Sequence, residues 1–138
     1  MNRITLITLG VRDLKAARDF YESLGWTSNE STPGVAFFDC GGFKFGLFGL
    51  NDLAKEQGRP VESLGRGAMT LAINFASAES VDDAFAAALA AGGTSLSAPG
   101  AMHWGGYSAY WADPDGHVWE YAFNPFWPLD SEGRLTGP

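Results

Sequence analysis

Four side chains in this sequence stand where they are candidates for a reactive group: Glu120, His103, His117 and Cys40. Glu120 stands between Trp119 and Tyr121 in an apolar run. Alternation along a strand sends it to the face opposite those two rings. A carboxylate in an apolar cleft can serve as a general base or as a polar anchor for a ligand. The competing reading is a carboxylate satisfied by backbone or water. His103 lies in Met102-His103-Trp104-Gly105-Gly106-Tyr107, a loop that mixes polar and aromatic groups. Loops carry function more often than cores do, which makes His103 a proton-transfer candidate beside Glu120. An ordinary surface histidine fits equally well. His117 ends Asp113-Pro114-Asp115-Gly116-His117, and its expected work is hydrogen bonding in that turn. Cys40 has only Lys44 nearby to activate it, so it reads as a small buried apolar residue. Trp104, Tyr107 and Trp111 are candidate pocket-lining rings, with plain core packing expected for at least one. Tyr107 and Trp111 share one strand parity and Tyr110 has the other.

These residues need strands to aim them. Ile4 to Val11 is apolar and β-branched and predicts a strand. Asp13 then caps a helix whose stripe is Leu14, Ala17, Tyr21 and Leu24, and Gly25 ends it. Strands are expected over Trp26 to Ser31, Val35 to Cys40 and Phe43 to Gly49, with turns at Pro33-Gly34 and Gly41-Gly42. Residues 51–66 read as a linker with one short helix near Leu53 to Gln57. The order then repeats. Ala68 to Phe75 is a strand, and Ser80 caps a helix stopped by Gly92-Gly93. Thr94 to Ser97, Tyr107 to Ala112 and Val118 to Phe123 follow as strands. The chain therefore reads as one α+β domain of two tandem βαβββ modules, about 3–50 and 67–125, with a tail over 126–138. Two such modules make a curved mixed sheet around a cavity, with helices outside.

Bulk properties narrow the partners. Basic residues number 9 and acidic residues 16, a net charge of −7. Such a surface repels phosphate backbones, so nucleic acid is not expected. No apolar stretch approaches the roughly 18 residues of a membrane span. One cysteine and no leader-like opening predict a reduced cytoplasmic protein.

The run Ile4-Thr5-Leu6-Ile7-Thr8-Leu9-Gly10-Val11-Arg12-Asp13-Leu14, with Phe20-Tyr21-Glu22-Ser23-Leu24-Gly25-Trp26, resembles the first module of the vicinal oxygen chelate superfamily. That group holds glyoxalase I, extradiol dioxygenases and bleomycin-resistance proteins. Residues 107–120, from Tyr107 through the Asp-Pro-Asp-Gly-His turn to Glu120, resemble its closing hairpin. The resemblance implies a divalent metal on four strand positions, which fall at Leu6, Gly46, Thr70 and Glu120. Only Glu120 is a strong ligand there. Moving two residues along the strands brings up Ile4, Thr8, Lys44, Phe48, Ala68 and Ala72, none of them a histidine or carboxylate. No cofactor is therefore expected, a divalent metal being the alternative.

Two functions follow. The first is a metal-free protein that binds an apolar or aromatic small molecule, with Leu6, Thr70, Trp104, Tyr107 and Trp111 around it; the resemblance also implies a homodimer. The alternative is a lyase, isomerase or dioxygenase-like enzyme that uses Glu120 with a metal, or Glu120 and His103 as acid and base. A structural protein with no ligand is a third possibility.

Overall fold

The computed structural model describes residues 1–30 and 33–136, with only the backbone for 29 and 30. The chain divides into two compact units, Met1–Gly65 and Arg66–Pro138.

In the first unit, strand β1 is Leu6–Val11 and begins two residues later than the apolar run suggests. Ile4 is exposed and lies outside the ladder. Asp13 stays extended, and its carboxylate accepts from Ala16 N at 3.1 Å, which starts helix α1, Leu14–Ser23. Strands β2 (Ser28–Glu30), β3 (Val35–Asp39) and β4 (Lys44–Gly49) complete a four-stranded sheet in the order β1-β4-β3-β2. Ser31, the expected end of β2, lies outside the described residues. Strands β1 and β4 run parallel and the remaining neighbours antiparallel. One face packs on α1. Tyr21 meets Phe45 at 5.2 Å and Phe38 at 6.2 Å between ring centres, and Trp26 joins them. Helix α2, Leu50–Gln57, and a single 3-10 turn, Val61–Ser63, occupy most of the stretch read as a linker.

The second unit repeats the plan. Strand β5 is Thr70–Asn74, helix α3 is Ala78–Ala91, and β6, β7 and β8 are Thr94–Ala101, Tyr107–Ala112 and Val118–Phe123. The order is β5-β8-β7-β6, with β5 parallel to β8. Two expectations are corrected here. The cap of α3 is Ser77, not Ser80: the Ser77 hydroxyl accepts from Ser80 N at 3.1 Å. Strand β6 continues through Pro99 to Ala101 instead of stopping at Ser97. It is an edge strand with irregular register after Ser95 and again after Ser97. A proline is tolerated in such a strand because its missing N–H faces no partner.

Among the described residues the fold is α+β, with two mixed sheets of four strands each, neither closed into a barrel. Among the described residues no helix is long and apolar enough to cross a membrane.

Candidate functional site

The Asp113–His117 turn sets the geometry around Glu120. The buried Asp113 carboxylate accepts from Asp115 N and from His117 N, both at 2.9 Å. Asp113 N donates to His117 O at 2.9 Å, and Gly116 takes a φ of 87° that suits glycine. Arg66 Nη1 donates to Asp115 O at 3.1 Å. His117 serves the turn through its backbone, as its position suggests. With the turn held, β7 and β8 pair in one register: Tyr110 opposite Glu120, and Trp111 opposite Trp119.

That register separates two faces. Trp111 and Trp119 are buried and stacked, 5.8 Å apart at 8°. Tyr121 meets Trp111 at 5.4 Å. These rings share the core with Val81, Phe85 and Ala88 of α3. Glu120 and Tyr110 stand on the other, helix-free face, both half-buried. Ala72 of β5 pairs with Glu120, so Thr70 and Asn74 share this face. Burial pushes the Tyr110 phenol above its ordinary value, and the charge of Glu120 and a hydrogen bond to it push the same way.

The other candidates fall elsewhere. Trp111 belongs to the helix-side core, because its neighbours there exclude water completely. Tyr107 also points to the helix side, where its hydroxyl donates to Asp82 of α3 at 2.6 Å. His103 is exposed in the turn between β6 and β7. Trp104 is partly exposed, and its ring lies over Gly106, where any Cβ would collide with it. Trp111 and Tyr107 thus lie on the face opposite Glu120. Cys40 is half-buried, and burial pushes its thiol up, away from a nucleophile's range. Tyr110, whose parity is opposite to that of Tyr107 and Trp111, is not among the candidate site residues of the sequence. Counting back along both strands from the turn pairs it with Glu120.

The positions that the resemblance assigns to a metal do not fit one. In the first unit Leu6 offers no donor and is 47% exposed. At Gly46 a Cβ would lie 3.2 Å from Phe37 Cε1 and 3.4 Å from Thr8 Oγ1. A side chain at position 46 would need the Phe37 ring to yield by a few tenths of an ångström. In the second unit the pair is Thr70 and Glu120, one hydroxyl and one carboxylate. Among the described residues no three of His, Cys, Asp and Glu gather as a metal site would require.

Comparison with known proteins agrees with this architecture. The family model of the Glyoxalase/Bleomycin resistance protein/Dioxygenase superfamily matches residues 3–121. The crystal structure of a glyoxalase-related enzyme from Fulvimarina pelagi is 36% identical over 99% of each chain, with a TM-score of 0.91. A glyoxalase/bleomycin resistance protein/dioxygenase from Nocardioides is 28% identical, covering 89% of this chain and 83% of its own, at a TM-score of 0.74. A lactoylglutathione lyase from Agrobacterium tumefaciens shares the fold at 24% identity and a TM-score of 0.72, covering 94% of this chain and 99% of its own. Comparison with curated proteins gives no match. A match over residues 3–121, on a chain built twice from the same strand order, means that this protein belongs to the Glyoxalase/Bleomycin resistance protein/Dioxygenase superfamily.

Proposed function

We propose that this chain binds an apolar or aromatic small molecule against the helix-free face of the second sheet, without a catalytic divalent ion. The observation that carries the reading is the Tyr110–Glu120 pair, a polar anchor half-buried on a face otherwise made of neutral side chains. A lone carboxylate with a phenol beside it orients a hydrogen-bond donor well. It holds a divalent cation poorly, because such ions take several oxygen or nitrogen ligands. Thr70 adds a hydroxyl on the same face. The proposal extends to a cytoplasmic homodimer. Exposed Ile4, Met69, Leu96 and Phe126 supply apolar surface for association, and a single-chain mass by light scattering would argue against it.

A second reading, an enzyme of lyase or isomerase type, draws support from the 36% identity to a glyoxalase-related enzyme. Elemental analysis of the purified protein separates metal-free binding from the metal-dependent form of the enzyme. Substoichiometric zinc, nickel, iron and manganese, together with thermal stabilisation by aromatic metabolites that Glu120→Gln abolishes, is the expected result. One tightly held divalent ion per chain would transfer the argument to the enzyme.

A further inference from the structure

Strands β5 and β8 end side by side. Asn74 pairs with Ala122, and Phe75 N donates to Ala122 O at 2.7 Å. The chain then folds back instead of leaving. Asn124 Oδ1 accepts from Phe126 N at 2.9 Å, and the Asn124 carbonyl accepts from Trp127 N at 3.1 Å. A second closed turn follows. The Asp130 carboxylate accepts from Glu132 N at 2.8 Å, Arg134 N at 2.9 Å and Arg134 Nε at 3.0 Å. Leu129 bridges to Leu135, and Thr136 N donates to Pro128 O at 3.0 Å. The folded tail and the strand ends border an open cleft of about 490 Å³ lined by Asn74, Phe75, Phe123, Trp127, Leu129 and Asp130.

The volume lies within the roughly 300–1,000 Å³ of small-molecule sites, and aromatic walls with few polar groups are their usual lining. Asp130 is the charged residue in the lining, and Arg134, which pairs with it, also pairs with Glu132. Asp130 is committed to its own turn and to Arg134. An anion meets no counter-charge there, and a cation must compete with Arg134 for the Asp130 carboxylate and lose hydration as well. Asn74 offers an amide, which can donate and accept at once. We propose that this cleft is a binding site for a neutral, planar aromatic group bearing an amide-like substituent, stacked on Trp127 and hydrogen-bonded at Asn74. The proposal does not depend on the Glu120 reading. Glu120 pairs with Ala72, two residues along β5 from Asn74 and so about 7 Å further on.

Benzamide is the probe. Titrated into isotope-labelled full-length protein, it should shift the backbone amides of residues 74–76 and 124–131 saturably. Trp127→Ala should weaken the interaction about tenfold, the loss expected for one aromatic contact. Trp127 is half exposed, so the variant keeps the core intact. Asn74→Ala provides the second variant and should weaken benzamide while leaving toluene binding unchanged. Three results would overturn the proposal: no saturable shift at the solubility limit of benzamide, unchanged affinity in both variants, or shifts centred on Tyr110 and Glu120. The last would support a ligand on the helix-free face while removing it from the tail cleft.

Discussion

Tyr110 and Glu120 face each other directly across the β7–β8 pair, on the side of the sheet that α3 does not cover. Burial is the largest cause of the raised Tyr110 pKa, and Glu120 adds its charge and a hydrogen bond. Glu120→Gln removes the charge and leaves the burial. The Tyr110 pKa should therefore fall in the variant but stay above the ordinary phenol value, as read by carbon-13 NMR of labelled tyrosine. An unmoved titration would mean that the two groups do not interact in solution.

Trp111 should behave as a core residue and not as a ligand contact. It is completely buried, stacked on Trp119 and packed beside Tyr121. Trp111→Ala should cost about 3–5 kcal/mol, by lost burial and the cavity left behind. A fall in Tm of roughly 10 °C or more is expected for a chain of this size. Tyr110→Phe removes only a hydroxyl at a half-buried position and should change Tm far less. Equal Tm losses in a calorimetric comparison would contradict the assignment of faces.

The Asp113 carboxylate holds two backbone N–H groups in a buried turn. Asp113→Ala leaves both donors without that acceptor, at a cost of about 1–3 kcal/mol each when buried. Asp113→Asn keeps an acceptor oxygen and should lose less. Hydrogen exchange should speed up across β7 and β8 in the alanine variant before it does so in the first unit. Uniform acceleration through both units would show that the turn does not act locally.

Tyr121 makes stability sensitive to alkali. Its phenol is pushed up to about 12 by burial, against an ordinary value near 10. A folded pKa above the unfolded one means that the contribution is complete below the unfolded value. It is lost as pH rises through the folded value, because the unfolded chain releases its proton first. Wild-type stability should therefore decline between about pH 10 and 12, by up to roughly 3 kcal/mol from this group. Tyr121→Phe should flatten that decline in denaturant titrations at graded pH. An identical slope in the variant would assign the alkaline loss to other groups.

Much of the architecture was legible because it is written in local chemistry. Asp13 caps α1 and the Asp113–Gly116 turn closes the last hairpin through side chain to backbone bonds within a few residues. Period two placed Glu120 opposite Trp119 and Tyr121 correctly. The start of α3 escaped because Ser77 and Ser80 are both competent caps, and backbone conformation chose the first. The length of β6 escaped because Pro99 argues against a strand until its place at the sheet edge is known. Tyr107 and Trp111 share a face of β7, as their parity predicts, but it is the face that α3 covers, and alternation alone does not say which face that is.

The sequence by itself determined the repeated βαβββ order and the chemistry at positions 6, 46 and 70, where leucine, glycine and threonine supply no imidazole or carboxylate in any fold. Only the tertiary structure decided which parity of each strand the helix would cover. Alternation defines two faces but does not label them, since aromatic residues occupy both in β7. Packing α3 over Trp111 and Trp119 left Tyr110 beside Glu120, and the Phe37 ring came to stand 3.2 Å from where a Cβ at position 46 would lie.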